Sequence, residues 1–132
     1  MIPQLFDMRK FIVPIPTYRA QLEVIIGSRK KLVKQEAKIL KVFDAETDGF
    51  NAAGRCYQVY LKKNIRTVTI LITKDFLTLN ILIHECLHAV FYLLRYLDIQ
   101  PSEEAEEAYT YLMEYLFTYC YTELKSELLP LK

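Results

Sequence analysis

The chain has little cysteine and uses it in no pattern. Cys56, Cys86 and Cys120 are odd in number, and none forms a C-x-x-C pair. Residues 1–10 hold no apolar core followed by a small-residue cleavage site, so no secretion signal is expected. Reduced thiols in a cytoplasmic compartment follow from both points. An excess of charge is also lacking: lysine and arginine total 17 against 16 acids, a formal charge of +1. No whole-molecule field therefore draws the protein to nucleic acid or to anionic lipid. Nor is there an uninterrupted membrane span. Residues 76–97 are apolar enough in length, but they carry His84, Glu85, His88 and Arg95. Ionisable groups in mid-span are costly, so a buried helix of a non-membrane domain is expected. With 132 residues, 52% hydrophobic and 25% charged, the chain fits one globular domain over residues 1–132, with no internal repeat.

Residues 11–16 alternate loosely, and Pro14 and Pro16 confine them to a sheet edge or an irregular extended segment. Residues 18–26 fit a strand or a helix equally. Ser28 can cap a helix over 29–43, with Leu32, Val33, Glu36, Ala37, Leu40 and Phe43 along one side. Lys30, Lys31, Lys34, Lys38 and Lys41 lie largely opposite, as a solvated face rather than a phosphate site. Residues 44–54 form a loop. It opens like a calcium-binding EF-hand loop, but the twelfth position needs a bidentate glutamate and is Arg55, which excludes calcium there. Residues 57–61 and 65–72 read as two strands joined as a hairpin by Lys62-Lys63-Asn64. From about Asp75 the pattern turns helical and runs to about Leu97. Ser102 then caps a last helix reaching roughly Leu128, with Glu103 and Glu104 at the positive end of its dipole. The order describes an α+β domain: a small sheet or hairpin followed by two long helices.

Chemistry enters at Ile83-His84-Glu85-Cys86-Leu87-His88-Ala89, which contains H-E-x-x-H. Residues four apart share one helix face, so two imidazoles there can grip one Zn²⁺ at about 2.0–2.1 Å each. Glu85 follows the first ligand and can reach a water held by the metal. Zinc lowers the pKa of that water toward ~7, and Glu85 can take its proton. The chain has only two histidines, and their chance placement in this pattern is on the order of one in a thousand. Cys86 lies about 200° around the helix from His84 and reads as a small core residue. A zinc site takes a third protein ligand and leaves a position for water. No further histidine exists, so the candidates are Glu103, Glu104, Glu106 and Glu107, which follow His88 by 15 to 19 residues. The helical wheel does not choose among them, because the helix is apolar nearly all round after Tyr109.

The segments His84-Glu85-Cys86-Leu87-His88-Ala89, Ile99-Gln100-Pro101 and Glu106-Glu107-Ala108-Tyr109-Thr110-Tyr111-Leu112 together resemble a family of short phage and prophage proteins. Those proteins carry H-E-x-x-H-A, a linker, and E-E-A-aromatic-A-Y-L, with a hairpin before the motif helix. The resemblance covers about residues 54–116. More distantly the chain is similar to the peptidases that cleave phage repressors, whose later motif is E-A-N-x-F-A; residues 107–112 here lack its asparagine and final alanine. The resemblance implies a minimal zincin-like domain, gluzincin-like in layout, with Glu107 as third zinc ligand and Glu106 second in line. It further implies a zinc-dependent metallopeptidase, phage-encoded, acting on a peptide or protein. The alternative is a zinc-binding phage protein without turnover, a virion component or a module that binds a host factor. A third reading is a metal-free interaction protein using Tyr109, Tyr111, Tyr115, Tyr119 and Tyr121. In such enzymes a strand edge beside the metal helix binds substrate backbone, and residues 65–72 are the expected edge.

Overall fold

The computed structural model describes residues 7–131; residues 1–6, part of the stretch searched for a secretion signal, lie outside it. Strand β1 (Met8–Ile15) turns through a short 3-10 segment into β2 (Ala20–Gly27). The segment left open between strand and helix is therefore strand. Its pairing decides this: β2 lies antiparallel to β1 and parallel to β4 (Ile65–Thr73). Flanked on both sides, it buries Val24, Ile25 and Ile26, the β-branched run of an interior strand.

Helix α1 (Arg29–Val42) begins as expected at Ser28, whose Oγ accepts a hydrogen bond from the Lys31 N–H at 3.3 Å. Its buried positions are Leu32, Glu36 and Ile39. Ala37 and Phe43, assigned to the inner side by periodicity, are exposed. The sheet sets this rotation, because Ile39 and Leu32 pack on Ile25, Phe50, Tyr57 and Leu71 and Glu36 turns inward to polar partners.

Strand β3 (Gly54–Lys62) pairs antiparallel with β4 as the expected hairpin. Lys63 and Asn64 form its turn at φ 52° and 65°, the positive values that tight two-residue turns require. The sheet order is β1-β2-β4-β3. Helices α2 (Leu79–Tyr96) and α3 (Glu106–Leu124) cover one face. Leu82, Cys86, Leu93, Leu116 and Cys120 pack there on Leu22, Val24, Ile70 and Ile72. The period-2 alternation of the strands thus feeds two cores on opposite faces. The protein is an α+β fold, a four-stranded mixed sheet with three helices. Among the described residues no helix is long and apolar enough to cross a membrane.

Helix α3 is shorter at both ends than the expected 102–128. Ser102 Oγ does accept from the Ala105 N–H at 3.1 Å, but it closes a separate turn before the helix. At the other end the chain leaves the helix after Leu124, and the Leu129 N–H donates to the Leu77 carbonyl at 2.8 Å beside the start of α2. A tertiary hydrogen bond replaces the last helical turn.

Candidate metal centre

On α2 the buried residues are Leu82, Glu85, Cys86, Ala89, Val90, Leu93 and Leu94. This helical spacing seats the helix on the sheet and leaves Ile83, His84, Leu87 and His88 exposed. The two Nε2 atoms of His84 and His88 stand 3.2 Å apart. Two nitrogens each about 2.0–2.1 Å from one zinc and that far apart subtend roughly 100°, close to a tetrahedral angle. The donor pair therefore fits two corners of a zinc site. Burial, and then His84, lower the pKa of His88, which favours the neutral imidazole that metal binding needs. One turn further on, Tyr92 stacks on His88 with ring centroids 5.9 Å apart. The histidines, Leu87, Phe91, Tyr92 and Arg95 line a cleft of about 380 Å³.

Glu85 points differently, about 100° around the helix from His84. It is only 4% exposed and lies against the start of β3. A Cβ added at Gly54 would stand 3.1 Å from Glu85 Oε2 and 3.2 Å from both Glu85 Cγ and Ile81 Cγ2. The glycine thus admits the carboxylate against the strand backbone. Burial raises the pKa of Glu85, while His84 and Arg55 pull it back. Gly54→Ala is expected to crowd this contact and lower stability by about 1–3 kcal/mol, as overpacking does. Thermal unfolding reads the change; an unaltered Tm would mean that Glu85 swings aside freely.

Cys86 is fully buried in the core behind the motif, as its helical position implied. Its thiol pKa is pushed far up, first by a hydrogen bond with the Cys120 thiol and then by burial. Such a thiol is an unreactive packing group. Tyr109 and Tyr115 are tied down as well, their hydroxyls donating to the carbonyls of Ile99 at 2.6 Å and Pro14 at 2.5 Å. Tyr111 and Tyr121 are exposed.

The acids of the α3 start are all exposed: Glu103, Glu104, Glu106 and Glu107. Among the described residues, no three His, Cys, Asp or Glu side chains converge closely enough to hold a metal. Glu106 lines a cavity with Leu87 and Phe91, next to the histidine cleft; Glu107 lines neither space. The structure thus brings His84 and His88 together, buries Glu85 against Gly54 of β3 and outside the lining of the histidine cleft, and, among the described residues, converges none of the four glutamates on the histidine pair.

The free sheet edge is a correction. Strand β4, the expected edge, is hydrogen-bonded on both sides, to β2 and to β3. The edge beside α2 is β3. Hairpin pattern alone identifies two partners but not which of them takes a third strand. Sequence reading also missed Tyr92, although it stands four residues after His88 on the same stripe. Gly54 carried no signal, because only the crossing of α2 over β3 gives it a role.

Arg55 anchors the loop that leads into this strand. Its guanidinium donates to Glu36 Oε2 at 2.8 Å and to Asp48 Oδ2 at 3.1 Å. Glu36 is fully buried and also accepts from the hydroxyls of Tyr57 and Thr47. Arg55, which replaces the calcium loop's glutamate, is thus an internal cation for two carboxylates. No protein-family model, curated protein or solved structure matches the chain.

Proposed function

We propose that this protein is a zinc-dependent metallopeptidase, encoded by a phage or prophage and built as a minimal zincin-like domain. The observation that carries this reading is the 3.2 Å approach of the His84 and His88 nitrogens within H-E-x-x-H. In this reading His84 and His88 hold the metal, and the start of α3 supplies a third ligand. The resemblance favours Glu107 for that place, and the position of Glu106 beside Leu87 and Phe91 favours Glu106. When bound, zinc supplies the Lewis acidity that makes water a nucleophile near neutral pH. Glu85 accepts the proton of the attacking water. Its burial against β3 and its contact with Gly54 orient the carboxylate and exclude bulk water. The free edge of β3 offers backbone groups to an extended substrate.

A second reading, zinc binding without turnover, is favoured by the same burial of Glu85, which keeps its carboxylate out of the lining of the histidine cleft. In that reading the protein is a virion component or a binder of a host factor.

Elemental analysis tests the common part of both. Protein purified without chelator and reloaded with Zn²⁺ is expected to hold one zinc per chain, and His84→Ala to hold none. Zinc at a hundredfold excess over its Kd should also stabilise the fold by about 2.7 kcal/mol, read as a rise in Tm. A parent protein well below one zinc per chain would defeat the reading. The third ligand has its own test in zinc affinity. Either Glu107→Ala or Glu106→Ala is expected to weaken binding far more than Glu103→Ala or Glu104→Ala. If none of the four differs from the parent, α3 supplies no ligand.

A further inference from the structure

A second cavity, about 490 Å³, opens between α2 and α3. Its floor is apolar: Leu87 and Phe91 from α2, Tyr109 and Met113 from α3. The Phe91 and Tyr109 rings stand 5.2 Å apart and close the base. Glu106 and Glu114 stand at the rim, both exposed. Leu87 and Phe91 line this cavity and the histidine cleft alike, so the two spaces flank the same two side chains. Leu87 is 45% exposed and is open to contact from both spaces.

We propose that this cavity binds a polypeptide segment carrying a large apolar side chain beside a lysine or arginine. The apolar side chain enters between Leu87 and Met113, and the cation lies against Glu114. Methionine and leucine side chains adapt to more than one apolar shape. The charge choice follows from complementarity. Glu103, Glu104 and Glu107 are also exposed at this end of α3, and Arg95, 5.1 Å over the Phe91 ring, lines the histidine cleft and not this cavity, so beside Glu114 an acidic residue would meet repulsion and a basic one attraction. The proposal rests on the peptidase reading insofar as it names a substrate class, because a chain seated here lies against Leu87 and Phe91, which also wall the cleft of His84 and His88.

Capped short peptides test it, each with a central Leu-Lys, Leu-Glu, Ser-Lys or Ser-Glu pair in an otherwise neutral frame. Binding to full-length Glu85→Gln protein is followed by NMR, with zinc content measured on the same sample. The Leu-Lys peptide is expected to shift Leu87, Phe91 and Met113 signals. Replacing its Leu by Ser should weaken binding about tenfold or more. Replacing its Lys by Glu should weaken it about two- to fivefold, the range of an exposed ion pair. In the protein, Leu87→Glu should abolish the shifts at unchanged Tm. Glu114→Lys should narrow or invert the preference for Leu-Lys over Leu-Glu. Absence of shifts at roughly 1 mM peptide, shifts elsewhere on the surface, or equal affinity for all four peptides overturns the proposal. Peptide binding by zinc-free protein would leave this inference standing while the zinc reading failed; zinc binding without peptide shifts would do the reverse.

Discussion

Glu85→Gln is expected to keep zinc and fold and to lose nearly all turnover. Glutamine has the shape of glutamate and still hydrogen-bonds water, but it cannot accept the proton. General-base help contributes typically about 10²–10⁴-fold, so kcat should fall by that factor. His84→Ala should behave differently and lose metal and activity together. A peptide library incubated with parent and Glu85→Gln proteins, read by mass spectrometry, separates the readings. Equal cleavage by both would assign the activity to a contaminant or another mechanism. Cleavage by neither, with zinc bound, would favour the non-catalytic reading.

Arg55→Met is expected to produce a large loss of stability. It removes the cation facing Glu36, a carboxylate with no exposure. Stripping one partner from a buried pair costs about 3–5 kcal/mol. The lower end applies here, because Arg55 is 31% exposed and the hydroxyls of Tyr57 and Thr47 still donate to Glu36. Against a total stability of about 5–15 kcal/mol this is a large share. Urea unfolding measures it. Glu36→Gln combined with Arg55→Met should cost less than the sum of the two single changes, since the double variant buries no unpaired charge; strict additivity would show that the pair is not coupled. Acid adds a smaller signature. Arg55 holds the Asp48 carboxyl down at about 2 against its ordinary 3.8. A carboxyl depressed on folding contributes above its unfolded pKa and loses that contribution as pH falls through the folded one. Asp48→Asn should therefore flatten the stability curve between about pH 4 and pH 2.

Local patterns were enough for much of this molecule. The Ser28 cap, the hairpin around Lys63 and Asn64, the long helix of the H-E-x-x-H motif and the inward position of Cys86 were all legible. Each depends on neighbours within a few residues, where helix and strand periods and turn preferences act directly. The facing of His84 and His88 was legible for the same reason: a spacing of four on a helix sets it without help from the rest of the chain.

What pattern could not supply were relations between elements. Residues 20–26 are strand because β1 and β4 flank them, and no local preference carries that fact. Strand β4 is interior and β3 is the edge because β2 lies parallel beside β4, a choice made across a sequence separation of 46 residues. The rotation of α3 decides that Glu106, and not Glu107, stands beside Leu87. Its sequence is apolar nearly all round, so only packing on α2 and β1 sets the phase. Gly54 and Arg55 acquire their roles in the same way, from what crosses above them. The sequence by itself determined the facing of His84 and His88, the place of Glu85 between them and the helix that presents all three, because these follow from the geometry of one helix. Tertiary structure alone decided which strand edge, which acids and which cavity surround that helix, because contacts between distant segments depend on how the whole core is filled.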